Sequence, residues 1–321
     1  MKLTRLNLVL ITLTVALGAF VVLTRPAPPT APPDEAAFPA FLPEAILEVH
    51  VGSPAGDEAA APVVLRRASK DAPWTVDQRG GFPAEAFPIE TLLGQLSGVR
   101  ARDLISETAE GLALFGLASG SGVDVRLVSP GNADWRFVFA DAAAGGQGFM
   151  RAAGDERVFV VQPFVGLSKE PVQWVQPGVF DLDVAEVRRL ELSLAGTRLV
   201  VERDDKGIWR EPLTGRVAPR VALEDLLADL DTLALEDVAT HGADVALADE
   251  GLELSLFGVD DLPLAGLALD LTPSTTAGDG ALRKLTANAW AGAWVGWIDE
   301  DAAALLMQRV GKVVVALEKR D

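Results

Sequence analysis

Imidazoles and paired carboxylates are the groups in this sequence that could do chemistry, and the imidazoles are few. His50 and His241 are the two histidines, and there are no cysteines and no tyrosines. Thiol catalysis, disulfides and zinc–thiolate centres are excluded, and with them most transition-metal sites and most general bases other than carboxylates. His50 lies in Leu47-Glu48-Val49-His50-Val51, on the same strand face as Glu48. That placement suits a solvent-facing strand residue better than a metal ligand or a base. His241 stands beside Gly242 after an apolar helical pattern, a usual place for a helix C-terminal residue. Asp204-Asp205-Lys206-Gly207 offers two carboxylates. Its composition is that of a turn, with Gly207 suited to positive φ, and the other oxygen ligands of a calcium loop are missing. Asp299-Glu300-Asp301 opens an alanine- and leucine-rich run and reads as a helix cap favoured by the helix dipole. A glycosidase needs two opposed carboxylates roughly 5–9 Å apart. Spacing alone specifies no such pair, so a carboxylate-based hydrolase stands third among the functional readings.

Phosphate loops are missing. Gly311-Lys312 is followed by Val313 and lacks the preceding glycine of a P-loop. Gly116–Gly122 does not have the order of a nucleophile elbow, and Gly145-Gly146-Gln147-Gly148 lacks the third glycine of a dinucleotide loop. Trp290, Trp294 and Trp297 lie close together in an alanine- and glycine-rich context. They are the candidate interaction surface, able to stack on sugar rings or meet a partner protein; core filling in the last strand pair is the competing account. No catalytic, cofactor-binding or metal-binding residue is assigned, and a non-catalytic protein is expected.

The elements that carry these residues repeat. Leu47–Val51 alternates as a half-buried strand, Val63–Arg67 and Trp74–Val76 form a hairpin, and Ile89, Leu92, Leu93, Leu96 and Val99 share one helix face. Leu190–Leu194, then Leu199–Glu202 and Trp209, then Leu223, Leu226, Leu227, Leu230 and Leu233 repeat the series. Trp209 lies 135 residues after Trp74, and each helix position lies 134 residues after its counterpart. Leu190 lies 143 residues after Leu47, so the first copy carries about 8 extra residues in its first loop. Five apolar positions in register with a tryptophan mark a duplication. Duplicated tryptophans at equivalent strand positions read as core anchors. Further strands are expected at Val123–Val128, Trp135–Ala140, Val158–Gln162, Leu252–Phe257, Leu264–Leu271 and Trp294–Ile298. Asp299 is expected to cap a short helix through Met307, with a last strand at Val313–Leu317.

In front of the repeats, Lys2 and Arg5 precede an uncharged run from Leu6 to Leu23. At about 1.5 Å per residue, 18 residues of helix just cross a bilayer core. The flanking positive charge predicts a cytoplasmic N-terminus. A cleaved signal peptide is the rival account; the long apolar run and the lack of a small-residue cleavage site favour an uncleaved anchor. Seven prolines between Arg25 and Pro43 predict an extended spacer. The expected layout is an anchor over residues 1–25, a linker over 26–43, and α+β repeats over 44–176 and 177–321. Each repeat is expected to be a mainly antiparallel sheet with one packed helix. The net charge of −18 disfavours nucleic acid as a partner, since no basic patch exceeds the pairs Arg66–Arg67 and Arg188–Arg189. The lipid bilayer, through residues 6–23, is the partner that the sequence indicates directly.

A strand–turn–strand ending in Trp, then Trp209-Arg210-Glu211-Pro212 and the helix pattern in Leu223–Val238, twice over behind one anchor, resembles the bacterial family known as domain of unknown function 4340. The first copy matches at Trp74 and Ile89–Ile105 but lacks the proline three residues after its tryptophan. The resemblance implies an extracytoplasmic accessory subunit of an ABC transporter of the type linked to gliding motility, held in the bacterial inner membrane, with a permease or another membrane protein as partner. It supplies no catalytic residue. An extracytoplasmic glycan-binding module using the tryptophan-rich end is the alternative. Deleting residues 1–25 is expected to release the chain from the membrane fraction. A periplasm-dependent reporter enzyme fused after Arg25 is expected to be active, and activity only in the cytoplasm would reverse the orientation.

Overall fold

The computed structural model describes residues 35–53, 61–131, 133–140, 146–162, 166–194, 196–239, 251–274, 282–289 and 292–318. The anchor segment and most of the proline-rich run lie outside them, as do His241 and Trp290. Among the described residues no helix is long and apolar enough to cross a membrane.

The first half contains β1 (Glu48–Gly52), β2 (Val63–Arg66), β3 (Thr75–Val76), β4 (Phe82–Pro83), α1 (Ala86–Gly98), β5 (Leu104–Ser106), α2 (Ala109–Leu114), β6 (Val123–Val128), β7 (Asp134–Phe139), β8 (Gly148–Ala152) and β9 (Val158–Val161). The second contains β10 (Arg189–Leu194), β11 (Thr197–Arg203), β12 (Trp209–Arg210), α3 (Arg220–Asp231), β13 (Asp237–Val238), β14 (Gly251–Phe257), β15 (Pro263–Ser274), β16 (Leu282–Ala289), β17 (Gly292–Asp299) and α4 (Glu300–Glu318). The strands pair antiparallel into a nine-stranded sheet, β4-β3-β2-β1-β6-β7-β8-β9-β5, and an eight-stranded one, β12-β11-β10-β14-β15-β16-β17-β13. Apart from β4, the two orders are the same path.

That path places the helix. β4 or β12 ends at one edge of its sheet, and β5 or β13 lies at the other, so the chain between them must cross the whole face. α1 buries Ile89, Leu92, Leu93 and Leu96, and α3 buries Leu223, Leu226, Leu227 and Leu230. Beneath them lie alternate strand residues such as Val49, Val51, Val125 and Leu127 in the first unit, and Leu190, Leu192, Leu254 and Leu256 in the second. Trp74 and Trp209 are each 2 % exposed and anchor the two cores as their duplication implied. Each also carries an arginine over its ring, Arg67 at 4.6 Å and Arg203 at 5.9 Å from the ring centroid.

One helix does not cover a whole face. Twelve or thirteen residues span about 20 Å, whereas eight or nine strands spread over roughly 33–38 Å. The second unit completes its cover with α4, which buries Ala303, Leu306, Val310, Val313 and Leu317. Arg309 clamps it to α3 through Asp225 at 2.6 Å and Asp229 at 2.7 Å. The strand expected at Val313–Leu317 is therefore the last turns of this helix. The β-branched run suggested extension, but burial at every third or fourth position against α3 decides for helix. The helix expected from Asp299 through Met307 thus starts where predicted but runs on to Glu318 and packs beside α3, so the sheet carries two packed helices and not one. The first unit uses residues from the proline-rich run instead. Phe38 meets Phe137 and Phe159 edge-on at 5.3 and 4.9 Å, and Phe41 packs on Trp135. Residues 35–43 are therefore a strap on the sheet and not an extended spacer. The other face of the first sheet holds a smaller cluster, in which Leu112 and Phe115 pack over Leu117, Val138 and Val158.

The units join through Trp174–Val179. Val175 pairs with Ala84 beside β4, and Gly178 pairs with Ala234 just before β13. Across the joint, Arg79 Nε and Nη2 donate to the two carboxylate oxygens of Asp237 at 2.8 and 3.1 Å. Phe82 meets Trp294 edge-on at 4.9 Å. The apolar gap left among Phe82, Leu235, Val238, Leu285 and Trp294 is only about 10 Å³. Gly296 is fixed by this joint, since a Cβ there would lie 2.8 Å from Leu235 Cδ2 and 3.0 Å from the Asp237 carbonyl. Gly296→Ala is expected to destabilise the protein by about 1–3 kcal/mol, read as a lower denaturant midpoint with an unchanged slope.

Candidate functional site

The outward face of the first sheet gathers polar side chains that lie far apart in sequence. Strand alternation turns Val49, Val51, Val123, Val125 and Leu127 inward, which leaves His50, Asp124 and Arg126 pointing out. Register then makes a row: His50 on β1 lies opposite Arg126 on β6, and Arg126 lies opposite Arg136 on β7. Both guanidiniums approach one carboxylate, Asp134, at 3.0 Å from Arg126 and 3.6 Å from Arg136. His50 Nε2 is 3.0 Å from Glu48 Oε2, and Glu48 also meets Arg66 at 3.1 Å. The hydrogen bond from His50, aided by Arg66, holds the Glu48 carboxyl below its ordinary range.

Two residues along β6 from Arg126, Asp124 sits opposite Gly52. A Cβ on Gly52 would lie 3.0 Å from Pro62 Cβ, so a larger residue there would press on Pro62. Asp124 Oδ1 is buried and has no hydrogen-bond partner among the described residues. Burial pushes the Asp124 pKa up, against the opposing pull of Arg136, Arg151 and the Val125 amide. His50, Gly52, Ser53, Pro62, Asp124, Arg126 and Arg136 together line an open cavity of about 230 Å³. The second unit has Ser193, Glu253 and Ala268 at the three positions of the row, so the shared scaffold does not demand this cluster.

The other sequence candidates are placed as follows. Asp204 Oδ1 accepts from the Lys206 and Ile208 amides at 3.0 and 2.8 Å, and Gly207 has φ +78°, the turn its composition predicts. Asp299 Oδ1 accepts from the Asp301 amide at 2.7 Å at the start of α4. Trp294 and Trp297 lie three residues apart on β17 and so leave opposite faces of the sheet. Trp294 is engaged with Phe82 at the joint, whereas Trp297 lies between Lys284 and Asp237 on the neighbouring strands, with Nε1 buried and unpaired. One groove does not take both rings. Among the described residues no group of three or more histidine, aspartate or glutamate side chains could hold a metal ion. His50 was visible in the sequence. Asp124, Arg126 and Arg136 were not singled out, because only the β1–β6–β7 register brings them beside it.

Two sheets of one strand order, each roofed by a crossing helix, define a tandem α+β protein that is mostly β. The chain belongs to the family described as Domain of unknown function (DUF4340), whose model matches residues 74–253, more than half of the chain. No curated protein and no solved structure matches it.

A raised carboxyl pKa makes the ionised form a cost to the fold. The penalty is absent below the unfolded value of about 3.9 and complete above the folded one. Asp124→Asn is therefore expected to raise the melting temperature at pH 7 and to lose that gain near pH 3, as measured by melts across the range.

Proposed function

We propose that this chain is a membrane-anchored, extracytoplasmic accessory subunit of an ABC transporter of the gliding-motility type, non-catalytic, and built from one duplicated α+β unit. Four features support the reading. The basic start and the apolar run from Leu6 to Leu23 fit an anchor in the bacterial inner membrane, with the N-terminus in the cytoplasm and the sheets on the other side. The chain's family is the one whose members are expected beside such transporters. The residues that recur between the units are those that build the fold: the strand alternation, Trp74 and Trp209, and the two helix faces. The His50–Arg126–Arg136 row does not recur.

The observation that carries a docking role is the free edge of the second sheet. In the first unit the strip next to β4 is covered by Trp174–Gln176, with the Glu85 amide donating to the Trp174 carbonyl and the Gln176 amide to that of Pro83, both at 2.9 Å. In the second unit the equivalent of β4 is Arg216–Ala218, joined to β12 through Arg210 and Val217, and among the described residues no further segment pairs beyond it; Leu213 is 94 %, Val217 46 % and Val221 70 % exposed. Leu213, Val217 and Val221 fall within nine residues and each exposes an apolar side chain, which suits a protein partner, and the permease is the occupant proposed. Purified from native membranes in mild detergent, the chain is expected to bring an ABC permease with it. Leu213→Asp combined with Val221→Asp is expected to lose the permease while the protein keeps its melting temperature. Failure of the unaltered chain to recover a permease would sink the proposal.

A further inference from the structure

We propose that the cavity on the outer face of the first sheet binds a hydroxylated organic anion of monosaccharide size, a sugar acid or a sugar phosphate, with its oxyanion on the Arg126–Arg136–His50 row and a hydroxyl on Asp124. This goes beyond the accessory role and does not depend on it.

Five observations converge. Arg126 and Arg136 share the single carboxylate of Asp134, so their combined charge is not neutralised by it, and planar guanidiniums side by side suit a carboxylate or phosphate. Asp124 Oδ1 is a buried acceptor lacking a donor, which is costly unless something supplies one. A hydroxyl does so whichever way the carboxyl titrates. Asp124 lies two residues from Arg126 on one strand face, about 7 Å along β6, a separation that a hexose ring spans between its acidic group and its distal hydroxyls. The volume of about 230 Å³ lies below the range of drug-sized pockets and suits a single sugar. The sister unit keeps the same strands with Ser193, Glu253 and Ala268 in the row, so the cluster is not a by-product of the fold.

Calorimetric titration of the full chain in detergent tests this with four probes: glucuronate, glucose 6-phosphate, neutral glucose and inorganic phosphate. Both anionic sugars are expected to bind, glucose at least about tenfold more weakly, and Arg126→Gln and Arg136→Gln each to weaken the anionic sugars by about tenfold or more. Asp124→Ala is expected to weaken the two sugars and leave inorganic phosphate unchanged. The preference between glucuronate and glucose 6-phosphate identifies the acidic group. No binding of either anionic sugar up to roughly 10 mM, glucose binding as well as they do, or unaltered binding in both arginine variants would overturn the proposal. An Asp124→Ala variant that binds both sugars normally would overturn the hydroxyl contact. None of these measurements involves a transporter, so this inference and the accessory role fail separately.

Discussion

Each sheet has one apolar face that is wider than a single helix, and the structure depends on how that face is closed. The strand path forces a crossing helix onto the face, because the chain leaves one edge and must re-enter at the other. What remains open is closed differently in the two units. α4 lies beside α3 and is held by Arg309 between Asp225 and Asp229. The strap of residues 35–43 lies over β7 and β9 and is held by Arg67. That guanidinium is 8 % exposed and donates to the carbonyls of Pro43, Glu44, Ile46 and Lys70. A buried cation left without these acceptors would be strongly unfavourable, so Arg67 ties the entering chain to the β2–β3 hairpin. Its counterpart Arg203 keeps the place over tryptophan, while the segment entering the second unit is held by its own side chains, with Val179, Phe180, Leu182 and Val187 buried in the core.

The duplication extends beyond the residues that announced it. The Ala37 amide donates to the Val99 carbonyl and the Ala101 amide to that of Glu35, while the Val179 amide donates to Leu233 and the Leu235 amide to Pro177. The two pairs of bonds correspond one to one, with acceptors and donors in the helix-exit segments 134 residues apart, as the helix faces are. The chain thus enters both units along the same edge. In the first unit the entering segment follows the proline-rich run, and in the second it comes from the joint.

Long-period signals were legible in the sequence and short or context-dependent ones were not. Five helix positions and a tryptophan in register located both helices, both hairpins and the central strands. β4, β5 and β13 have two or three residues each and no period of their own; they exist because a sheet edge receives them. α4 was misread in its last turns because Val313, Val314 and Val315 favour extension locally, and only the presence of α3 beside them overrides it. The strap was misread for a related reason. Proline content describes what the backbone cannot donate, while Phe38 and Phe41 decide where it packs. For the site, His50 was weighed alone. Its neighbours Arg126 and Arg136 are more than 70 residues away along the chain and reach it through β-sheet register, which a single sequence does not disclose.

The joint between the units has a bearing on what happens at the two outer ends. Phe82 and Arg79 face Trp294 and Asp237 across it. At the far edge of the second unit, the places of Phe82 and Arg79 are taken by Arg216 and Leu213. At the far edge of the first unit, the places of Trp294 and Asp237 are taken by Arg157 and Asp103. A second chain laid end to end in the same manner would set Arg216 against Arg157, itself paired with Asp155, where the joint has two rings edge to face, and a leucine against a carboxylate where it has an ion pair. The contact that makes two units into one body therefore does not tile.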